Sequence, residues 1–367
     1  MSLFFELLQV SLGQRDGLSH VPSDDEWYAL YDEAKRQAVE GIIFCGVEKI
    51  LQDQCPPRQL LMQWISDVSV IEGRNARMNA RCQELLHRFY GIGLRSTILK
   101  GQGLARLYGE DGKRRNCGDI DVFVAGGIEY ALGKIPTKRV NGWDYKHADL
   151  HIWNDTEIEM HYHVEYTNNL IRNSRLQKWF LMHEEEFFHS DGVLVTPTLE
   201  MNLFYILLHI YRHFFYQGVG LRQIVDYYFV LKQICCQYPA SNIQWPTDKI
   251  QAVSSFGMER FARGLMWVMG EVLAMPCEWM PWMPDEREGR FILAQVQAGG
   301  NFGNHAEGLA QVSNNREKML RTLRHTLHLF RHYPAEAFSA PVWAVYNRVW
   351  RSVYWLKLKR HDNIPGK

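Results

Sequence analysis

Apolar positions in the first ninety residues recur at helical spacing. Between Arg58 and Tyr90, Leu61, Trp64, Ile65, Val68 and Ile71 fall three and four residues apart, which predicts a long amphipathic helix. Its later stretch, Arg74 to Arg81, is polar, as expected of a part that meets solvent or a cleft. Upstream, Ser23-Asp24-Asp25-Glu26 has the form of a capping box, in which the Ser hydroxyl and the Glu carboxylate satisfy each other's backbone amides. After Gly91 and Gly93 the period shortens to two. Ser96 to Leu99 predicts a short strand, Gln102 to Tyr108 a short helix, Gly109 to Gly118 a polar loop, and Asp119 to Val124 a second strand. Tyr145 to Trp153 and Thr156 to Val164 predict a hairpin around Asn154-Asp155. Ala148, Leu150, Ile152, Ile158, Met160, Tyr162 and Val164 share its apolar face, and acids and histidines share the other.

Beyond this the chain reads as helical. Thr196-Pro197 suggests an N-cap followed by Pro at the first helical position. Helices are expected over 197–216, 220–234, 250–273, 287–298, 315–331 and 340–360, with no internal repeat. The fold class is therefore α+β. A small mixed-sheet core over 91–195 is expected between an N-terminal helical segment, 1–90, and a C-terminal helical domain, 196–367.

Composition changes this picture little. Lys plus Arg and Asp plus Glu are each 41, so the zero net charge argues against wholesale coating of nucleic acid. Apolar residues at 46% and charged residues at 22% fit a globular chain and not a disordered one. Seven cysteines, odd in number and without a CxxC, fit reduced thiols in a cytoplasmic protein. Met1 to Leu12 is apolar but contains Glu6 and lacks a basic leader, unlike a signal peptide. The apolar run Leu203 to Tyr216 is broken by His209, Arg212 and His213, short of the ~20 residues that a membrane crossing needs. No membrane contact is expected. Charge does concentrate at the end: residues 316–367 hold eleven Lys or Arg against three acids, a local +8 that the rest balances with −8.

The candidate chemistry lies in the predicted strands. Asp119 and Asp121, at i and i+2, point the same way about 6.6 Å apart, and can converge on a hard cation. A third acid on a neighbouring strand would complete a site for two Mg²⁺ or Mn²⁺ ions, the arrangement suited to in-line phosphoryl displacement. The hairpin offers Glu157 and Glu159 on one face. Alone, an Asp-x-Asp is more often a solvated sheet face than a catalytic pair.

Leu99-Lys100-Gly101, then Arg115, then Gly118-Asp119-Ile120-Asp121-Val122-Phe123-Val124, resembles the core of the polymerase-beta-type nucleotidyltransferase superfamily. Within it, the order of elements is similar to the family called uncharacterised nucleotidyltransferases. Glu159-Met160-His161 resembles that family's acid-x-His strand, His209 and His213 its spaced histidines, and Gly220 to Asp226 its LRQxxD element. Gly299 to Gly303 resembles a further block, and the likeness covers roughly residues 5 to 330. It implies a polymerase-beta-like mixed sheet flanked by helices, and transfer of a nucleoside monophosphate from a triphosphate such as ATP to an acceptor hydroxyl. Asp119, Asp121 and Glu159 are then catalytic and metal-binding, with Glu159 also placed as a base. Lys100, Gly101, Gly103, Arg115, Arg222 and His209 are expected at the nucleotide. One departure stands out: the superfamily's Gly-Ser is replaced by Lys100-Gly101-Gln102-Gly103. The acceptor, whether small molecule, protein or RNA, is not legible. A toxin-like transferase acting on transfer RNA and a catalytically silent scaffold are the alternatives.

Simpler readings compete at several positions. His147, His151, His161 and His163 gather on the hairpin's polar face, but without the spacing signature of a zinc site. Arg222 and Asp226, at i and i+4, suit a simple ion pair along one helix. On the last predicted helix, Trp343, Tyr346, Val349, Trp350, Val353 and Tyr354 form an apolar stripe expected to pack on the domain.

Overall fold

A computed structural model describes residues 2–50, 54–216, 218–238, 243–299, 329–330 and 332–359. These residues form two compact units. The first takes the described parts of Met1–Arg77, Leu104–Cys117 and Asn202–Ala310; the second takes those of Met78–Gly103, Gly118–Met201 and the C-terminal helix.

The first unit is helical. It contains α1 (Leu3–Ser11), α2 (Asp24–Arg36), α3 (Glu40–Lys49) and the start of α4 (Arg58–Gly91). The capping box forms at the head of α2: the Ser23 Oγ accepts from the Glu26 amide, and Glu26 Oε2 accepts from the Ser23 amide at 2.8 Å. In α4 the expected stripe is buried at Trp64, Val68 and Ile71, and it continues through Asn75, Met78, Cys82 and Leu85. Arg74 to Arg81 is therefore not polar all round; one face of it is core.

The expected loop after Tyr108 is instead a kinked 3-10 segment, Arg106–Arg114, entered from the short helix α5 (Gln102–Ala105). Gly109, at φ +63°, supplies its kink. Chain order then passes through the second unit's α6 (Gly127–Lys134) and α7 (Leu170–Met182) before α8 (Leu199–Tyr216) and α9 (Leu221–Cys236). The cap of α8 is Thr198, whose Oγ1 accepts from the Met201 amide at 3.1 Å; Thr196 belongs to a strand. The single helix expected over 250–273 is two, α10 (Thr247–Ser255) and α11 (Glu259–Leu273), parted where Gly257 turns at φ +74°. α12 (Glu286–Gly299) follows, and most of the expected helix 315–331 lies outside the described residues.

The second unit is built on a mixed five-stranded sheet: β1 (Ser96–Ile98), β2 (Ile120–Val124), β3 (Val140–Trp143), β4 (His147–Trp153) and β5 (Thr156–His161). Their order is β1-β2-β5-β4-β3. β2 and β5 run parallel, and the other neighbours are antiparallel. The predicted hairpin closes with Trp153 opposite Thr156. A two-stranded ribbon, His189–Ser190 with Val195–Thr196, stands beside the main sheet. The fold is α+β, with helices flanking a mixed sheet.

The helix Pro334–Lys359 belongs to this unit. Trp343 is buried and stacks on Tyr166, ring centroids 4.5 Å apart, while Trp350 lies 5.0 Å from Tyr145. The packed stripe is narrower than its spacing suggested, because Val349 and Val353 are exposed. Among the described residues no helix is long and apolar enough to cross a membrane.

Ser23→Ala removes one half of the capping box. It should cost about 1 kcal/mol, read as a lower urea midpoint with an unchanged slope.

Candidate active site

The site begins where β1 ends. The Leu99 amide donates to the Asp121 carbonyl at 3.0 Å, and the chain then turns, with the Gly103 amide donating back to Lys100 O at 3.0 Å. Gly101 sits at φ +56°, a conformation that side chains disfavour. At Gly103 a Cβ would lie 3.1 Å from the Ile98 carbonyl, so the backbone there packs closely against β1. It returns the Lys100 ammonium to 3.0 Å from Asp121 Oδ1.

Asp119 lies one residue before β2 and Asp121 within it, where only 2% of it is exposed. The parallel pairing of β2 with β5 places Asp121 directly opposite Glu159, and Phe123 opposite His161. Asp119, Asp121 and Glu159 can each present a carboxylate oxygen within 4.8 Å of the others. The three acids read from the sequence are thus brought together. Glu157, the other candidate on β5, is exposed and stands outside this set.

The cluster carries its own neutralising groups. His161 is fully buried, with Nε2 at 2.9 Å from Asp121 Oδ1 and 3.3 Å from Glu159 Oε2. Burial disfavours the charge of Asp121, but the Lys100 ammonium and the His161 hydrogen bond outweigh it and lower its pKa to about 2. Glu159 shows the same balance: burial opposes its charge, and His161, Lys100 and His147 hold the carboxyl far below the usual range. Lys100 loses solvation, yet Asp121, Asp119 and Glu159 raise its pKa. An Asp pair that looks self-repelling in the sequence is therefore balanced by a cation two residues beyond β1. Lys100 was expected at a phosphate; in this structure it meets Asp121.

The remaining candidates lie in the first unit. Arg115 is 5% exposed and holds Asp226 in a two-point fork, Nε to Oδ1 and Nη2 to Oδ2, both at 2.6 Å. The Tyr108 hydroxyl donates to Asp226 Oδ1 at 2.6 Å, and Arg115 Nη1 approaches Cys117 Sγ at 2.9 Å. Asp226 is thus filled by Arg115, where the i,i+4 spacing had suggested Arg222. Arg222 Nη1 instead donates to the Asn116 carbonyl at 2.9 Å. His209 is buried beside His213, ring centroids 4.2 Å apart, so neither stands on the wet side of α8.

Two contacts escaped sequence reading. The Lys100–Asp121 pair needs the tight return of the Leu99–Gly103 turn, and its signal was the pair of glycines around Gln102. The Arg115–Asp226 fork joins positions 111 residues apart in two different elements, so no local pattern announces it.

A mixed sheet that presents an Asp-x-Asp pair and a third acid at one point is a scaffold for acid-cluster chemistry. The chain belongs to the uncharacterised nucleotidyltransferase family, whose model matches residues 23–274, more than half of its 367 residues. The match ends before Gly299 to Gly303, so that block takes no part in it. No curated protein and no solved structure matches the chain.

Asp226→Ala would leave the buried Arg115 guanidinium without its counter-ion. Stability should fall by about 3–5 kcal/mol in chemical denaturation.

Proposed function

We propose that this nucleotidyltransferase joins an acceptor hydroxyl to the α-phosphorus of a nucleoside triphosphate at the Asp119, Asp121 and Glu159 cluster. The observation that carries this reading is the convergence of the three carboxylates across the parallel β2–β5 pair. In the reaction the acceptor oxygen forms a bond to the α-phosphorus, the bond from that phosphorus to the bridging oxygen breaks, and pyrophosphate leaves with the electron pair.

The residues present fit divalent cations. The set is all oxygen, which suits Mg²⁺ or Mn²⁺, and low pKa values keep Asp121 and Glu159 ionised at neutral pH. Cations held by these three residues would neutralise triphosphate charge and acidify the attacking hydroxyl.

Other roles follow from this chain's own groups. Glu159, with its low proton affinity, makes a good ligand and a poor general base, so the acceptor proton passes to solvent. Lys100 supplies positive charge beside the acids, a point charge of the kind that phosphates attract. Gly101 and Gly103 leave the adjoining backbone without side chains, in place of the Gly-Ser of the wider superfamily. Arg115 is spent on Asp226 and serves the helical unit.

Triphosphate with Mg²⁺ should stabilise the protein by about 2.7 kcal/mol at a hundredfold excess over its dissociation constant, seen as a higher melting temperature. Asp119→Asn should remove that shift and any pyrophosphate release while leaving the ligand-free melting temperature nearly unchanged. Asp121→Asn should remove both as well, and should also lower the ligand-free melting temperature, because Lys100 loses its partner. If none of the four triphosphates shifts the wild type with either metal, the reading falls, and a scaffold on the same fold takes its place.

A further inference from the structure

We propose that His147, Glu159 and His161 form a second cation site, selective for a nitrogen-accepting divalent transition metal such as zinc or cobalt. The site does not rest on the transferase reading; it shares only Glu159 with the all-oxygen set.

The β4–β5 register builds it. His147 stands opposite His161 and Asp149 opposite Glu159. His161 Nε2 lies 3.3 Å and His147 Nδ1 3.7 Å from Glu159 Oε2. All three residues can offer one ligand atom within 4.8 Å of the others. Ligands about 2.0–2.1 Å from a tetrahedral zinc lie roughly 3.3–3.4 Å from one another. The His161 separation matches that spacing and the His147 one exceeds it by about 0.3 Å, and both are longer than an ordinary charge-assisted hydrogen bond of about 2.7–2.9 Å.

His147 gives the independent sign. Its Nδ1 is buried and has no hydrogen-bond partner among the described residues. Its other nitrogen, Nε2, lies 3.4 Å from Asp149 Oδ1. With Nε2 turned to Asp149, Nδ1 is the ring nitrogen that faces Glu159, and Asp144 Oδ1 lies 3.8 Å from it. A carboxylate behind an imidazole in this way fixes the tautomer and orients a metal ligand. On the opposite side, His161 Nε2 would exchange its 2.9 Å contact with Asp121 for the cation.

Two imidazoles and one carboxylate favour zinc or cobalt over magnesium, whereas Asp119, Asp121 and Glu159 together offer only oxygen. Because Glu159 belongs to both sets, a cation bound in one changes the affinity of the other by the same factor in each direction.

The test is equilibrium dialysis of the full-length protein against cobalt(II) in excess Mg²⁺. The wild type should retain one cobalt per chain. His147→Ala should weaken retention by about tenfold or more, and Asp149→Asn by about tenfold. Asp149 is exposed, so its substitution leaves the fold intact and keeps the test decisive if His147→Ala fails to fold. Asp119→Asn should bind cobalt at least as tightly as wild type, because the Mg²⁺ that competes for Glu159 is weakened. The site is refuted if Asp149→Asn and a folded His147→Ala both hold cobalt like wild type. It is equally refuted if Asp119→Asn weakens cobalt as much as His147→Ala, since the cation would then sit among the carboxylates. Magnesium-dependent pyrophosphate release, measured separately, decides the transferase reading and leaves this one untouched.

Discussion

The register of one parallel strand pair governs the rest of the acid site. Ile120 opposite Ile158 and Val122 opposite Met160 bury four apolar side chains. The alternate positions therefore bring Asp121 and Glu159 side by side. A slip of one residue would turn every side chain on β5 to the other face, so the apolar core itself holds the acids in place. Like charges directly opposite on neighbouring strands repel. Lys100 and His161 answer that repulsion from inside the unit, one from the turn after β1 and one from β5 itself.

Each unit holds a buried charged cluster, and the two differ in how completely they close. Arg115 and Asp226 satisfy each other through two parallel hydrogen bonds, with Tyr108 taking a further position on the same carboxylate. Such a closed fork suits fixing a fold, because every strong donor and acceptor has met its partner. Around Asp121, a lysine, an imidazole and two more carboxylates meet with spare oxygen sites. Surplus acceptors held close together favour the capture of something positive. The same residue types thus give a structural lock in one unit and a ligand site in the other.

Legibility from sequence followed the range of the contacts. The capping box at Ser23, the long helix from Arg58 and the hairpin at Asn154-Asp155 are local patterns, and the structure contains all three. The Asp-x-Asp strand and the acid-x-His strand were visible because alternation shows one face of a strand at a time. That β2 and β5 are neighbours was implied by the family resemblance alone, since parallel pairing leaves no mark on either strand. The edge strand Val140–Trp143 was hidden because Asn141 and Gly142 carry no strand signal. Arg115 looked like a phosphate ligand by its place in a motif, and only its burial shows the carboxylate that it holds.

The sheet order β1-β2-β5-β4-β3 also bears on how the chain folds. β4 and β5 meet across a two-residue turn and can zip early, as hairpins do within microseconds. His161 and Asp121, by contrast, lie 40 residues apart, and the central gap closes only when the finished hairpin docks against β2. Loop-closure entropy makes that docking the later event. A chain stopped at the hairpin stage would own His147, Glu159 and His161 but not Asp119 and Asp121 beside them. Complete assembly of the acid cluster thus reports that the sheet has joined.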